Sequence, residues 1–287
     1  MISKVIRFAR RSPGNSNNDQ LIFVMDEKQV DRLQIQHHLF RAIWGENFNS
    51  PIKEQLKAGG FHVLEVGCGP GTWICDMATD FPTSIFVGVD IVSTYPTQKP
   101  TNITFSNANL LTGLPFSDNT FDFVRMSSMV SCFTEVEWRT IVMDELLRVL
   151  KPGGYLELEE GDAESYNRSP SFDRLVRSLS TQFVSRNMDP IMSSKFREIM
   201  EATGSLTNIE NKEITIPIGS WGGKLGTIMS EIVIRLFDEV RGKLIPAMNI
   251  RPREYDRILE SFRHEMNVYK TYARHHRFHA MKTYGDH

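Results

Sequence analysis

Val63-Leu64-Glu65-Val66-Gly67-Cys68-Gly69-Pro70-Gly71-Thr72-Trp73 is the stretch on which the reading of this chain turns. An apolar, β-branched run passes straight into close-set glycines, and a helix is expected to follow them. The glycines let the backbone approach a ligand with no Cβ in the way. The opening turn of the helix presents N–H groups without intrahelical acceptors, which favours a carboxylate or phosphate there. A second predicted strand, Ile85-Phe86-Val87-Gly88-Val89-Asp90, ends in an acid roughly twenty residues after the loop, where a ribose is gripped through its hydroxyls. Loop and acid together predict a bound nucleoside. Asp90 has a second reading as a helix cap after the strand.

The spacing narrows the choice of nucleoside. A dinucleotide fingerprint runs G-x-G-x-x-G, and counting from Gly67 its last place holds Thr72. Here the glycines fall as G-x-G-x-G, which sets a dehydrogenase aside. Downstream, Ile103-Thr104-Phe105 reads as a third short strand, and Asn109-Leu110-Leu111 follows it. Ser117-Asp118-Asn119 marks a turn before a fourth strand, Phe121 to Met126. A helix from Trp138 to Leu150 is expected to stop at Lys151-Pro152-Gly153-Gly154, ahead of a fifth strand at Tyr155-Leu156-Glu157-Leu158.

These landmarks, in this order, resemble the class I S-adenosylmethionine-dependent methyltransferases. The resemblance implies an α/β, Rossmann-like, doubly wound seven-stranded sheet, with an N-terminal helix and a helical insert before the last strand. It implies S-adenosylmethionine as cofactor, with the loop backbone on its methionine portion, Asp90 on the ribose, and Asn109 and Leu110 on the adenine. Cofactor contacts carried over on this basis are Glu65, Gly67, Cys68, Gly69, Gly71, Asp90, Ile91, Asn109, Leu110 and Met126. Ahead of the loop, Asp26-Glu27-Lys28-Gln29-Val30-Asp31-Arg32-Leu33-Gln34-Ile35-Gln36-His37-His38 resembles the corresponding region of the fungal LaeA-like methyltransferases, as does Ile216 to Gly223 with its Trp221-Gly222-Gly223. That branch consists of regulators of secondary metabolism and development, some associated with velvet-domain proteins. The resemblance therefore implies two functions: methyl transfer to a small metabolite or a protein, or a protein-binding regulator in the nucleus with little turnover.

Composition sets outer bounds. The 287 residues suit one catalytic domain with an elaboration. With 33 Lys plus Arg against 35 Asp plus Glu, the net charge of -2 argues against a general nucleic-acid surface. No apolar stretch approaches membrane-spanning length. Cys68, Cys75 and Cys132 have no metal-ligand spacing, and their odd number suits a reduced compartment, cytoplasmic or nuclear. Residues 1–20 read as a flexible tail, although Lys4, Arg7, Arg10 and Arg11 among apolar residues also suit a mitochondrial transit peptide. Residues 21–60 form an N-terminal helical segment, with Val30, Leu33, Ile35, Leu39, Phe40 and Ile43 as its apolar stripe and Asp26 as its cap. Residues 61–287 form the methyltransferase domain, with 221–272 as a helical cap insert split by Pro246 and Pro252 and an antiparallel last strand within 274–284.

No catalytic residue is assigned, because in-line methyl transfer requires a base only for a poorly ionised acceptor. Ser127, Ser128, Glu159, Glu160 and Asp162 follow the fourth and fifth strands, where carboxylates are usually solvated or capping. No metal ligands are assigned. His275, His276 and His279 read as an exposed polar strand edge, and of His37 and His38 one is expected to pack and one to face solvent. Cys68 reads as a small residue tolerated between glycines, and Trp73 as packing the first helix onto the sheet.

Overall fold

A computed structural model describes residues 27–284. The expected tail and the Asp26 cap lie outside the described residues. Helices α1 (Glu27–Trp44) and α2 (Lys53–Ala58) lead to β1 (His62–Val66), which turns through the glycines into α3 (Thr72–Asp80). Strands β2 (Ile85–Asp90), β3 (Ile103–Asn107) and β4 (Phe121–Ser127) follow. The helical stretch before β5 (Leu150–Gly161) changes pitch: α4 (Glu135–Glu137) enters a π-helical turn at Trp138–Val142 and leaves it as α5 (Met143–Val149). Thr134 and Glu137 start it with a reciprocal capping box. Helices α6 (Pro170–Val184) and α7 (Phe196–Ala202) precede β6 (Leu206–Pro217). The insert, α8 (Gly223–Ala247) and α9 (Pro252–Val268), separates β6 from β7 (Tyr272–Lys282).

The strands form one seven-stranded sheet in the order β3-β2-β1-β4-β5-β7-β6. The pairs β3/β2, β2/β1, β1/β4 and β4/β5 are parallel, with Leu64 registered on both Val87 and Val124. Chain order reverses between β1 and β4, and in open α/β sheets ligands bind outside the carboxyl ends of strands at such a switch point. The Lys151-Pro152-Gly153-Gly154 run lies within β5, and there the ladder slips: Phe121 pairs with Leu150, but Phe123 pairs with Tyr155. Pro152 has no donor to give the ladder, and Gly153 sits at φ +77°, so the extra residues loop out as a bulge.

The exposed edge expected of His275, His276 and His279 does not exist. β7 lies inside the sheet between β5 and β6, and all three rings are buried. His275 packs at 4.1 Å on Phe40, while His276 and His279 face Glu213 and Glu210 at 3.7 Å. The strand itself begins with an antiparallel bridge, Tyr272 to Tyr166.

The chain forms two compact units. Among the described residues, one comprises 27–43, Gly161–Ile191 and Ile214–His275. Its core is built by α6, α8 and α9, with Phe172 stacked on Phe262 at 4.0 Å and the Tyr255 hydroxyl donating to Phe237 O at 2.7 Å. Ser169 caps α6 through the Phe172 amide, with Pro170 in its first turn. On α1 the apolar stripe is only partly the buried face: Leu39 and Phe40 are buried, but so are Gln29 and Arg32. Arg32 is drawn in because its guanidinium donates to Glu239 of α8 at 2.9 Å.

The other unit comprises Trp44–Glu160, Met192–Glu213 and, among the described residues, 276–284. Strand alternation divides its core into two layers, Leu64, Val124, Met126 and Leu158 on one face and Val63, Phe86, Phe123 and Trp73 on the other. Each such side chain contributes about 1.5–3 kcal/mol through burial.

Candidate functional site

Gly67, Gly69 and Gly71 take φ of +73°, +50° and +73°, the left-handed region that other residues reach only at a cost. The loop amides face inward. Gly67 N and Cys68 N donate to Val89 O at 2.8 and 3.1 Å, Gly71 N to Cys68 O at 2.8 Å, and Gly69 N to Asp90 Oδ2 at 2.8 Å. The N–H groups that open α3 remain the donors available to an anionic ligand, as the sequence led one to expect. Beside them the Thr72 hydroxyl is buried with no hydrogen-bond partner.

Asp90 is 3% exposed and braces two main-chain turns, since Oδ1 also accepts from Val92 N at 2.9 Å. Burial pushes its carboxyl above the usual range, against the pull of those amides. A carboxylate has about four acceptor positions, so bracing leaves room for ribose hydroxyls. The cap and the ribose grip are thus compatible in one side chain.

The remaining sequence-derived positions divide. Ile91 follows Asp90 half-buried, its carbonyl accepting from Asn107 Nδ2 at 2.8 Å. Asn109 Oδ1 accepts from Leu111 N at 3.0 Å and caps a short 3-10 turn. Leu110 and Met126 are buried in the core, Met126 with no exposed surface, so protein surrounds that side chain. The Cys68 thiol is buried and pushed well up by that burial, which agrees with a tolerated small residue rather than a nucleophile. Trp73 packs as expected and its indole donates to Asn47 O at 2.8 Å. His37 is half-buried and His38 exposed.

Two side chains lie close over the glycines. A Cβ on Gly67 would meet Met129 Sδ at 2.6 Å, and one on Gly71 would meet Phe105 Cζ at 2.7 Å. The Phe105 ring stacks on Tyr95 at 4.5 Å.

Glu65 is 4% exposed. Its Oε1 accepts from Arg125 Nη1 at 2.7 Å, and its Oε2 is buried with no hydrogen-bond partner. Burial pushes its carboxyl up to about 8, with Arg125 pulling the other way. Arg125 Nη2 donates to Glu159 Oε2 at 2.7 Å, and Arg277 Nε donates to the same oxygen at 2.9 Å. Strand alternation places these groups and Glu157 on the sheet face that carries Val63 and Phe123. The expectation that strand-end acids are solvated fails for Glu159 and Glu160, both buried, because arginines and main-chain donors meet them. The arginines were missed in the sequence, although charges standing at core-facing places of alternating strands were a signal.

Glu160 points to the other face and accepts from Met129 N at 2.6 Å, just after Ser128 at φ +58°. Burial pushes Glu160 up to about 8. Between its ordinary value near 4.5 and about 8, the folded state keeps a proton that the unfolded chain releases. Stability therefore falls as pH rises through that window. Glu160→Gln removes this contribution, so thermal melts should show a shallower decline for the variant, by on the order of 1–3 kcal/mol across the window. Parallel pH profiles would show that Glu160 titrates normally.

Residues 63–154 match the family model described as a methyltransferase domain. Over 146 residues, half of this chain, the sequence is 31% identical to the secondary metabolism regulator laeA of Coprinopsis cinerea, of whose length it spans 36%. Over 264 residues it is 26% identical to the N-methyltransferase verN of Clonostachys rogersoniana, covering 87% of this chain and 88% of that one. The fold matches the solved phosphoethanolamine N-methyltransferase 2 of Haemonchus contortus, in complex with phosphomonomethylethanolamine and S-adenosylhomocysteine. That match has a TM-score of 0.53 at 19% identity and covers 93% of this chain and 61% of that one.

Residues 63–154 are thus similar to a methyltransferase domain, and the seven-stranded sheet that carries them has the fold of that solved N-methyltransferase. In sequence the chain is similar to fungal laeA proteins, spanning about a third of the length of the Coprinopsis cinerea one.

Proposed function

We propose that this chain transfers the methyl group of S-adenosylmethionine to a small metabolite. One observation carries the cofactor half of the reading: a bare buried acceptor, Glu65 Oε2, and a bare buried donor, the Thr72 hydroxyl, flank the glycine loop. An ammonium and a carboxylate on one ligand complement that pair, and the α3 amides add to the donor side. Asp90 then holds the ribose hydroxyls and the Asn109 turn borders the adenine. Bound there, S-adenosylmethionine supplies an electrophilic methyl group for in-line displacement. The protein's part is to hold donor and acceptor aligned and to exclude water, which needs no covalent intermediate.

The extended match to an N-methyltransferase, over 87% of this chain, supports an enzyme. The helix motif shared with the LaeA-like branch also has a structural duty here, because its Arg32 is buried against Glu239. The regulatory reading keeps the support of its higher identity, and it predicts cofactor binding with a protein as acceptor or partner.

Titration calorimetry with S-adenosylmethionine and S-adenosylhomocysteine tests the cofactor half, and absence of binding removes the reading. Asp90→Ala should weaken binding by about 1–3 kcal/mol. An unchanged affinity would limit Asp90 to bracing the loop. Release of S-adenosylhomocysteine on adding small-metabolite fractions tests the acceptor; release only with protein fractions would favour the regulatory reading.

A further inference from the structure

We infer that Arg125 is a positioning residue for the cofactor's amino-acid end, acting through Glu65. The inference rests on the reading that the glycine loop binds S-adenosylmethionine. Arg125 is buried and its guanidinium is held from three directions. Nη1 donates to Glu65 Oε1 and Nη2 to Glu159 Oε2, each at 2.7 Å, while the ring of Trp73 lies 4.4 Å from its central carbon. Glu159 is in turn fixed by Arg277, whose Nη1 donates to Glu46 O at 2.9 Å and to Asn49 Oδ1 at 3.1 Å. A planar fork pinned in this way has one orientation.

The consequence falls on Glu65. Its Oε1 is taken by Arg125 and its Oε2 is left bare, two residues before Gly67. A free glutamate would rotate among rotamers and spend its acceptors elsewhere. Held by one oxygen, it keeps the other committed to a donor that the protein does not supply. Burial disfavours an ionised Glu65 in the absence of a second cation, so the missing donor is best a cation, as an ammonium is, which would restore the charge on that carboxylate. Arg125 itself need not touch the ligand.

The test compares three probes on the full chain: S-adenosylmethionine, S-adenosylhomocysteine and 5′-methylthioadenosine, which keeps the adenosine and lacks the amino-acid end. Arg125→Lys should weaken the first two by about tenfold or more and leave the third within about twofold. In a Glu65→Gln background, Arg125→Lys should add less than about twofold, because both changes act at one contact. Equal weakening of all three probes, or an Arg125→Lys effect that persists beside Glu65→Gln, would show a merely structural role and overturn the inference. Unchanged binding by Arg125→Lys, with the wild type binding all three, overturns it while leaving the cofactor reading intact. A wild type that binds none of them removes both. Should Arg125→Lys fail to fold, Arg125→Gln with Glu159→Gln removes one charge of each sign and carries the same three-probe comparison.

Discussion

Glu157→Ala is expected to destabilise the protein by about 3–5 kcal/mol. The carboxylate has no exposed surface, and its Oε2 alone accepts from Asn49 N at 2.9 Å, Ser50 N at 2.8 Å and Ser50 Oγ at 2.7 Å. Each donor left unpaired in a buried place costs about 1–3 kcal/mol, and the missing side chain leaves a void as well. Removing one acid from a face that has more acids than arginines offsets part of this, which sets the lower end of the range. Glu157→Gln keeps an oxygen for the Asn49–Ser50 turn and should cost about 1–2 kcal/mol. Ser50→Ala removes a single donor and should cost about 1 kcal/mol. Urea denaturation of the three variants orders them. A loss below about 1 kcal/mol for Glu157→Ala would mean that water or a shifted turn satisfies these donors.

Gly71→Ala is expected to cost about 3–4 kcal/mol and to abolish cofactor binding. Two independent effects add. The residue sits at φ +73°, where an L side chain is strained by about 1–2 kcal/mol. Its Cβ would also stand 2.7 Å from Phe105 Cζ, on a ring that is stacked against Tyr95. The loop must move, and with it the start of α3. Gly204→Ala supplies the control: φ is +64° and no atom lies within 4 Å of the new Cβ, so only the strain applies. Gly67→Ala should fall between them, since the atom it meets is the flexible end of Met129. Equal destabilisation at positions 71 and 204 would show that the Phe105 contact carries no cost.

What was legible in the sequence was local. Val63, Leu64 and Val66 could be read as a buried strand because parallel strands are covered on both faces and run apolar, interrupted here only by Glu65. The glycine spacing, the Asp90 position and the order of landmarks through Gly154 share one stretch of chain, and these carry the fold class and the candidate cofactor loop. The helical insert at 221–272 was legible too, with its break between α8 and α9 marked by Pro246 and Pro252. Burial of α6 at Phe172, Leu175, Val176 and Leu179 follows the spacing that the pattern requires.

The parts that escaped the sequence depend on distant partners. His275, His276 and His279 looked like a wet edge because polar residues in a late strand usually are one; the decision that β7 enters between β5 and β6 is made by strand order, which no single segment encodes. Arg32 read as the polar face of a helix until Glu239, 207 residues away, drew it inward. The Glu65–Arg125–Glu159–Arg277 set joins four strands spread over more than two hundred residues, and each member alone is an unremarkable charge. Local backbone preference is set by neighbours in the chain, so sequence alone determined the strands, the glycine turn and the likeness to a methyltransferase domain. The energy of a buried charge is set by whatever lies across the fold from it, so only the tertiary structure decided which polar groups were paired and which Glu65 oxygen was left over.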